Sequence, residues 1–170
     1  MQDFETSSER VLIRRARRGD VQAFGTLYGR IYKDLYRFAL YTMKQPQNAE
    51  DVVSETVMIA YENLHQLKKE ESFRSWIFTI LSNQCKRYFR KEGKTEELVE
   101  DVPTEDARHE ERQDVRDAFM TLNEEDRMIL AFSVIAGYPS DEIGKMMRMN
   151  PATVRSRKAR ALEKMRLLLE

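Results

Sequence analysis

The chain is poor in the residues that build metal, redox and hydrolytic sites. Among its 170 residues are one cysteine, two histidines, six glycines and four prolines. Cys85 alone can close no internal disulfide, which agrees with a reducing compartment. His65 stands at a loop edge and His109 in an acidic stretch, so with Cys85 they offer no zinc ligand set of usable spacing. A hydrolytic triad would have to use one of the same two histidines, and neither sits where a rigid scaffold would hold it. The acidic pairs lack the Asp/Asn-plus-Gly alternation of a calcium loop. No glycine-rich loop leads into a Lys-Ser/Thr pair that could cradle a phosphate. The expectation is a protein with no catalytic residue, no metal and no cofactor. Nor is there a run of about eighteen apolar residues, so no membrane insertion is expected. The opening Gln2, Asp3 and Glu5 give no apolar signal core, and the chain is read as cytoplasmic.

Net charge is lacking too: 29 Lys+Arg balance 29 Asp+Glu. The distribution is uneven. Residues 1–91 carry 16 basic against 11 acidic side chains, residues 92–114 carry 3 against 10, and residues 115–170 carry 10 against 8. Two basic bodies are joined by an acidic strap, the kind of asymmetry that speaks for a polyanionic partner more than the net sum speaks against one.

What is present is helical pattern. Residues 8–18 form a short amphipathic segment ended by Gly19. Asp20 caps a long helix to about Lys44, with Phe24, Leu27, Tyr28, Ile31, Leu35, Phe38 and Ala39 on its inner stripe. Gly25 and Gly29 stand one turn apart in it and suggest close contact with another helix. After Pro46, Asn48 is the expected cap of a helix to about Gln66, whose outer side shows Glu50, Asp51, Ser54, Glu55 and Glu62. Ser72 caps a fourth helix to about Lys91, lined by Phe73, Trp76, Ile77, Ile80 and Leu81. It ends in Lys86-Arg87-Tyr88-Phe89-Arg90-Lys91, cations with aromatics between them, which suits phosphates and stacked bases. Residues 92–112 read as a self-repelling linker. Helices resume through Val115 to Leu122, and from the Asn123 cap to Gly137. No segment alternates with period two, so the fold class is all-α: two small helical domains, 1–91 and 113–170, joined by the acidic flexible linker 92–112.

The last stretch carries the sharpest signal. Gly137 can end a helix in the left-handed conformation. Ser140 is the expected cap of a short helix with Asp141 and Glu142 in its first turn. Asn150 caps the next, with Pro151 at its first position. Ile143 and Met147 share a face over which Met149 and Val154 can close, and Gly144 lets the two helices cross closely. This is a helix-turn-helix whose second helix leaves Thr153, Arg155, Ser156, Arg157, Lys158 and Arg160 to face a major groove.

Three stretches in this order resemble the extracytoplasmic-function group of bacterial sigma factors over nearly all of residues 8 to 168. They are Asn48-Ala-Glu-Asp-Val-Val-Ser-Glu-Thr through Leu64, Phe73-Arg-Ser-Trp-Ile-Phe-Thr-Ile-Leu-Ser-Asn83 with its basic tail, and Asp141-Glu-Ile-Gly with Thr153-Val-Arg-Ser-Arg157 and Arg160-Ala-Leu162. The resemblance implies that Asp51, Ser54 and Glu55 dock on the largest subunit of core RNA polymerase. It implies that Phe73, Arg74 and the loop before them capture a base flipped from the promoter's −10 strand, while Lys86, Arg87, Arg90 and Lys91 hold the backbone near the melting point. The linker carboxylates would stand in for RNA phosphates, helices 115–136 would meet the second-largest subunit, and Thr153 to Arg160 would read the −35 element. An anti-sigma factor is the further implied partner. Two positions depart from the family pattern: Ser54 where Gln is usual, and Arg148 where Gly is usual in the turn. The alternative is a stand-alone dimeric helix-turn-helix regulator, a reading that leaves the Trp76 helix and the linker without a role.

Overall fold

A computed structural model describes residues 8–92 and 107–170, and every regular element in them is helical. Helix α1 (Glu9–Arg17) starts where the Ser8 hydroxyl accepts from the Val11 amide, and it ends before Gly19, at a φ of 96°. The Asp20 carboxylate accepts from the Gln22 and Ala23 amides and opens α2 (Val21–Thr42). The expected stripe is inside: Phe24, Leu27, Ile31, Leu35, Phe38 and Ala39 are buried. Helix α3 (Pro46–Asn63) begins earlier than Asn48. Proline supplies the first helical position, where its missing N–H costs nothing, and Gln45 precedes it without a side-chain cap. Two short 3-10 turns (Leu64–Gln66 and Glu70–Ser72) then lead into α4 (Phe73–Glu92).

Helix α5 (Ala107–Met120) starts inside the stretch expected as linker, in a run of Ala, Arg, Glu and Gln that favours helix intrinsically. The remaining linker residues, 93–106, lie outside the described residues. Asn123 caps α6 (Glu124–Leu130) through the Asp126 amide, and the helix widens into a π-helical turn (Ala131–Ile135) in which the Ala136 amide reaches the Ala131 carbonyl. Helix α7 (Ser140–Met147) takes Ser140 as its first residue rather than its cap, the extended Pro139 preceding it. Helix α8 (Pro151–Leu169) opens on Asn150, whose side chain accepts from the Ala152 amide.

Gly144 is a tight crossing, since a Cβ there would lie 2.7 Å from the Met149 carbonyl oxygen. Gly25 and Gly29 are not: nothing comes within 4 Å of a Cβ at either, so no helix crosses them and the expected close contact is corrected. One apolar core runs through both halves. Phe38 of α2 and Phe78 of α4 meet Phe132 of the π-helical turn, at 4.8 and 6.5 Å between ring centroids.

Candidate functional site

The helix-turn-helix closes as its residues dictate. Ile143 and Val154 are fully buried and Met147 nearly so, with Met149 packed against them. The chain reverses at Arg148, at φ 56° and ψ 48°, a left-handed conformation that costs a non-glycine residue on the order of 1 kcal/mol. Arginine therefore adopts the turn that glycine usually supplies.

On α8 the buried residues are Val154, Ala161 and Met165. Thr153, Ser156 and Arg160 lie away from that stripe and are exposed. Arg155 is also exposed and reaches Asp141 at 3.4 Å, an ion pair in solvent that contributes little. Arg157 departs from the sequence reading. It follows Val154 by three positions and precedes Ala161 by four, which places it beside the buried stripe. Its guanidinium bonds to Glu125 and lies 3.7 Å from Asp126, both on α6. The hydrogen bond to Glu125 raises its pKa further. Lys158 flanks the same stripe and is half-buried. The outward cationic face is thus narrower than expected, carried by Arg155 and Arg160 with the two hydroxyls.

At the end of α4, Arg87, Arg90 and Lys91 are exposed and Lys86 half-buried, with the Lys91 ammonium 6.0 Å from the Tyr88 ring centre. Phe73 at the other end is 2 % exposed, packed in the core beside the half-buried Trp76. Arg74 leaves the helix sideways. It reaches Asp34 of α2 at 3.2 Å, donates to the Ala136 carbonyl at 2.9 Å, and lies over the rings of Phe78 and Tyr138. The loop before it is tied to α1, where Arg14 donates to Glu70 at 2.8 Å; that bond holds the Glu70 carboxyl below the ordinary range.

On α3, Asp51, Ser54 and Glu55 are exposed together. The same face continues into Met58, 61 % exposed, and Tyr61, 44 % exposed. Sequence reasoning passed over these two, although they follow Ser54 and Asp51 at helical spacing. It also passed over Arg116 and Arg127. Arg127 is 2 % exposed and donates to the carbonyls of Thr42, 2.9 Å away, and Leu122, 2.7 Å away, with Phe89 beneath it. Arg116 donates to the carbonyls of Leu40, Met43 and Lys44 at 3.0, 3.1 and 2.7 Å, and its burial lowers its pKa. Cys85, fully buried near Arg127, has its thiol pushed up to about 12 by burial. The Tyr138 hydroxyl is buried without a hydrogen-bond partner among the described residues, a cost of about 1–3 kcal/mol.

No group of metal-ligating side chains exists among the described residues, and no helix among them is long and apolar enough to cross a membrane. The surfaces that remain are an acidic helix face, a basic helix end and a helix-turn-helix.

Residues 27–95 match the family model of Sigma-70 region 2, and residues 112–165 match that of Sigma-70, region 4. The ECF RNA polymerase sigma factor SigM of Mycobacterium tuberculosis is 29 % identical over 155 residues, spanning 89 % of this chain and 79 % of that protein. The RNA polymerase sigma factor NccH of Alcaligenes xylosoxydans xylosoxydans is 28 % identical over 180 residues, 98 % of this chain and 97 % of that one. The same fold occurs in the sigma factor RpoE of Bartonella quintana, solved with the anti-sigma factor NepR. The TM-score is 0.77 at 24 % identity over 86 % of this chain and 96 % of that chain. It occurs again in CnrH, solved with the cytosolic domain of CnrY, at a TM-score of 0.75 and 24 % identity over 96 % and 97 % of the two chains.

Proposed function

Because this chain belongs to the extracytoplasmic-function group of the sigma-70 family, we propose that its separate surfaces act together to bring core RNA polymerase to a promoter and open it. It is not an enzyme, and its partners are core polymerase, promoter DNA and an anti-sigma factor. The cytoplasm, where polymerase and DNA meet, is its proposed place of work. The dimeric-regulator alternative has nothing in its favour, since a family region unrelated to such regulators covers the first half of the chain.

The division of labour follows the exposed chemistry. Asp51, Ser54 and Glu55, with Met58 and Tyr61 continuing their face, dock on the largest polymerase subunit. An apolar centre inside a charged border is the composition of an interface whose energy comes from a few buried anchors. Lys86, Arg87, Arg90 and Lys91 hold the phosphate backbone of the melting strand, as cations next to aromatic rings do. Phe73 and Arg74 stand at the start of the same helix for strand capture, once Arg74 has left Asp34. Thr153, Arg155, Ser156 and Arg160 meet the duplex of the −35 element, while Arg157 and Lys158 brace the helix that carries them and reach its edge.

The exposed acidic face of α3, free of any ion pair among the described residues at Asp51 and Glu55, is the observation that carries this reading. Co-purification with bacterial core RNA polymerase tests it. The wild type is expected to form a stable complex, and Asp51→Arg to weaken it by at least about tenfold, a change of about 1.4 kcal/mol. A folded wild type that does not bind core polymerase would overturn the reading.

A further inference from the structure

The faces assigned to polymerase and promoter are not all open at once. Helix α2 ends without a basic residue in its last turn, leaving its last carbonyls to be satisfied from elsewhere. They are satisfied from the other half of the chain: Arg127 takes the carbonyl of Thr42, and Arg116 takes those of Leu40, Met43 and Lys44. These are guanidinium caps at the negative end of a helix dipole, supplied across more than seventy residues of sequence. In the opposite direction, Arg74 of α4 takes the carbonyl of Ala136, the residue that follows the π-helical turn. Between these caps lie Phe38, Phe78, Phe132 and Tyr138, packed ring on edge. Tyr41 and Phe119 extend the seam at 5.0 Å.

We propose that this arginine-capped seam is an autoinhibitory latch, closing the free chain so that Arg74 and the inner face of α5, α6 and the π-helical turn are hidden until core polymerase pries the halves apart. The proposal rests on the sigma-factor reading. Three features make the seam suited to opening. Its polar bonds run from flexible guanidiniums to helix-end carbonyls, which water can cap when the arginines leave. The Arg74–Asp34 pair is part-exposed, so solvent competes for it already. The buried Tyr138 hydroxyl finds no hydrogen-bond partner among the described residues and regains one in water. Polymerase affinity in such a system is the intrinsic affinity reduced by the small open fraction.

The variant Asp34→Ala/Arg116→Ala loosens the latch from both sides without touching a face assigned to polymerase or DNA, and both side chains are partly exposed, so each half keeps its fold. Helix content by circular dichroism verifies this. Small-angle scattering of the wild-type chain is expected to give a radius of gyration near roughly 16 Å, that of a compact body of this length. The double variant is expected to be larger by roughly a quarter and to bind core polymerase about fivefold or more tightly. An extended wild type, or a variant that stays compact, would overturn the latch. An opened variant whose polymerase affinity equals the wild type's would remove its inhibitory role and overturn the proposal equally. Failure of the sigma-factor reading looks different: neither protein would bind core polymerase at all, whatever its shape.

Discussion

The helix-turn-helix and the seam between the two halves are held by opposite means. The helix-turn-helix is short-range: its cap, its proline, its left-handed turn and its buried Ile143 and Val154 all fall within about one short stretch of chain. The seam is long-range and mixed, arginines on carbonyls around a cluster of rings. A unit specified locally folds the same way whatever its neighbours do, and that suits a part that must present a fixed surface to DNA. A seam specified by distant polar bonds can be exchanged for water or for a partner.

Substitutions can break that contrast or sharpen it. Phe132→Ala has the largest expected effect, since it removes a fully buried ring that touches Phe38, Phe78 and Tyr138. A loss of about 3–5 kcal/mol is expected by urea unfolding. If the contrast holds, the transition also loses its single cooperative step, because one half then unfolds before the other. Gly144→Ala acts inside the helix-turn-helix instead. Its Cβ would stand 2.7 Å from the backbone oxygen of Met149, so the turn must shift, at a cost of about 1–3 kcal/mol in the same measurement. Smallest is Arg148→Gly, which relieves a left-handed arginine and should stabilise by up to about 1 kcal/mol. A destabilised Arg148→Gly would mean that the arginine side chain contributes more to the turn than its backbone costs.

The same contrast explains what was legible in the sequence. Ser8, Asp20, Asn123 and Asn150 cap their helices, because a cap is a bond between residues two or three apart. The inner stripes were legible from spacing alone. Asn48 and Ser140 were misplaced by a few residues because Pro46 and Pro139 set the helix starts. Gly25 and Gly29 suggested a crossing that is absent; a glycine pair marks where helices could approach, not that they do. Arg157 was assigned to the outward face by its charge, yet its register beside Val154 and Ala161 already placed it inward, next to Glu125. Arg127 could have been noticed as a lone cation preceding the apolar run Met128-Ile129-Leu130. Its acceptor, the carbonyl of Thr42, is 85 residues away and has no signature in any local pattern.

Transcription by purified core RNA polymerase on genomic DNA fragments, with and without this protein, tests the central claim most directly. Mapped 5′ ends are expected to appear only when the protein is added, to share upstream −10 and −35 sequences at constant spacing, and to vanish with Asp51→Arg. Transcript ends that are the same with and without the protein, in the presence of folded wild type, would contradict the account.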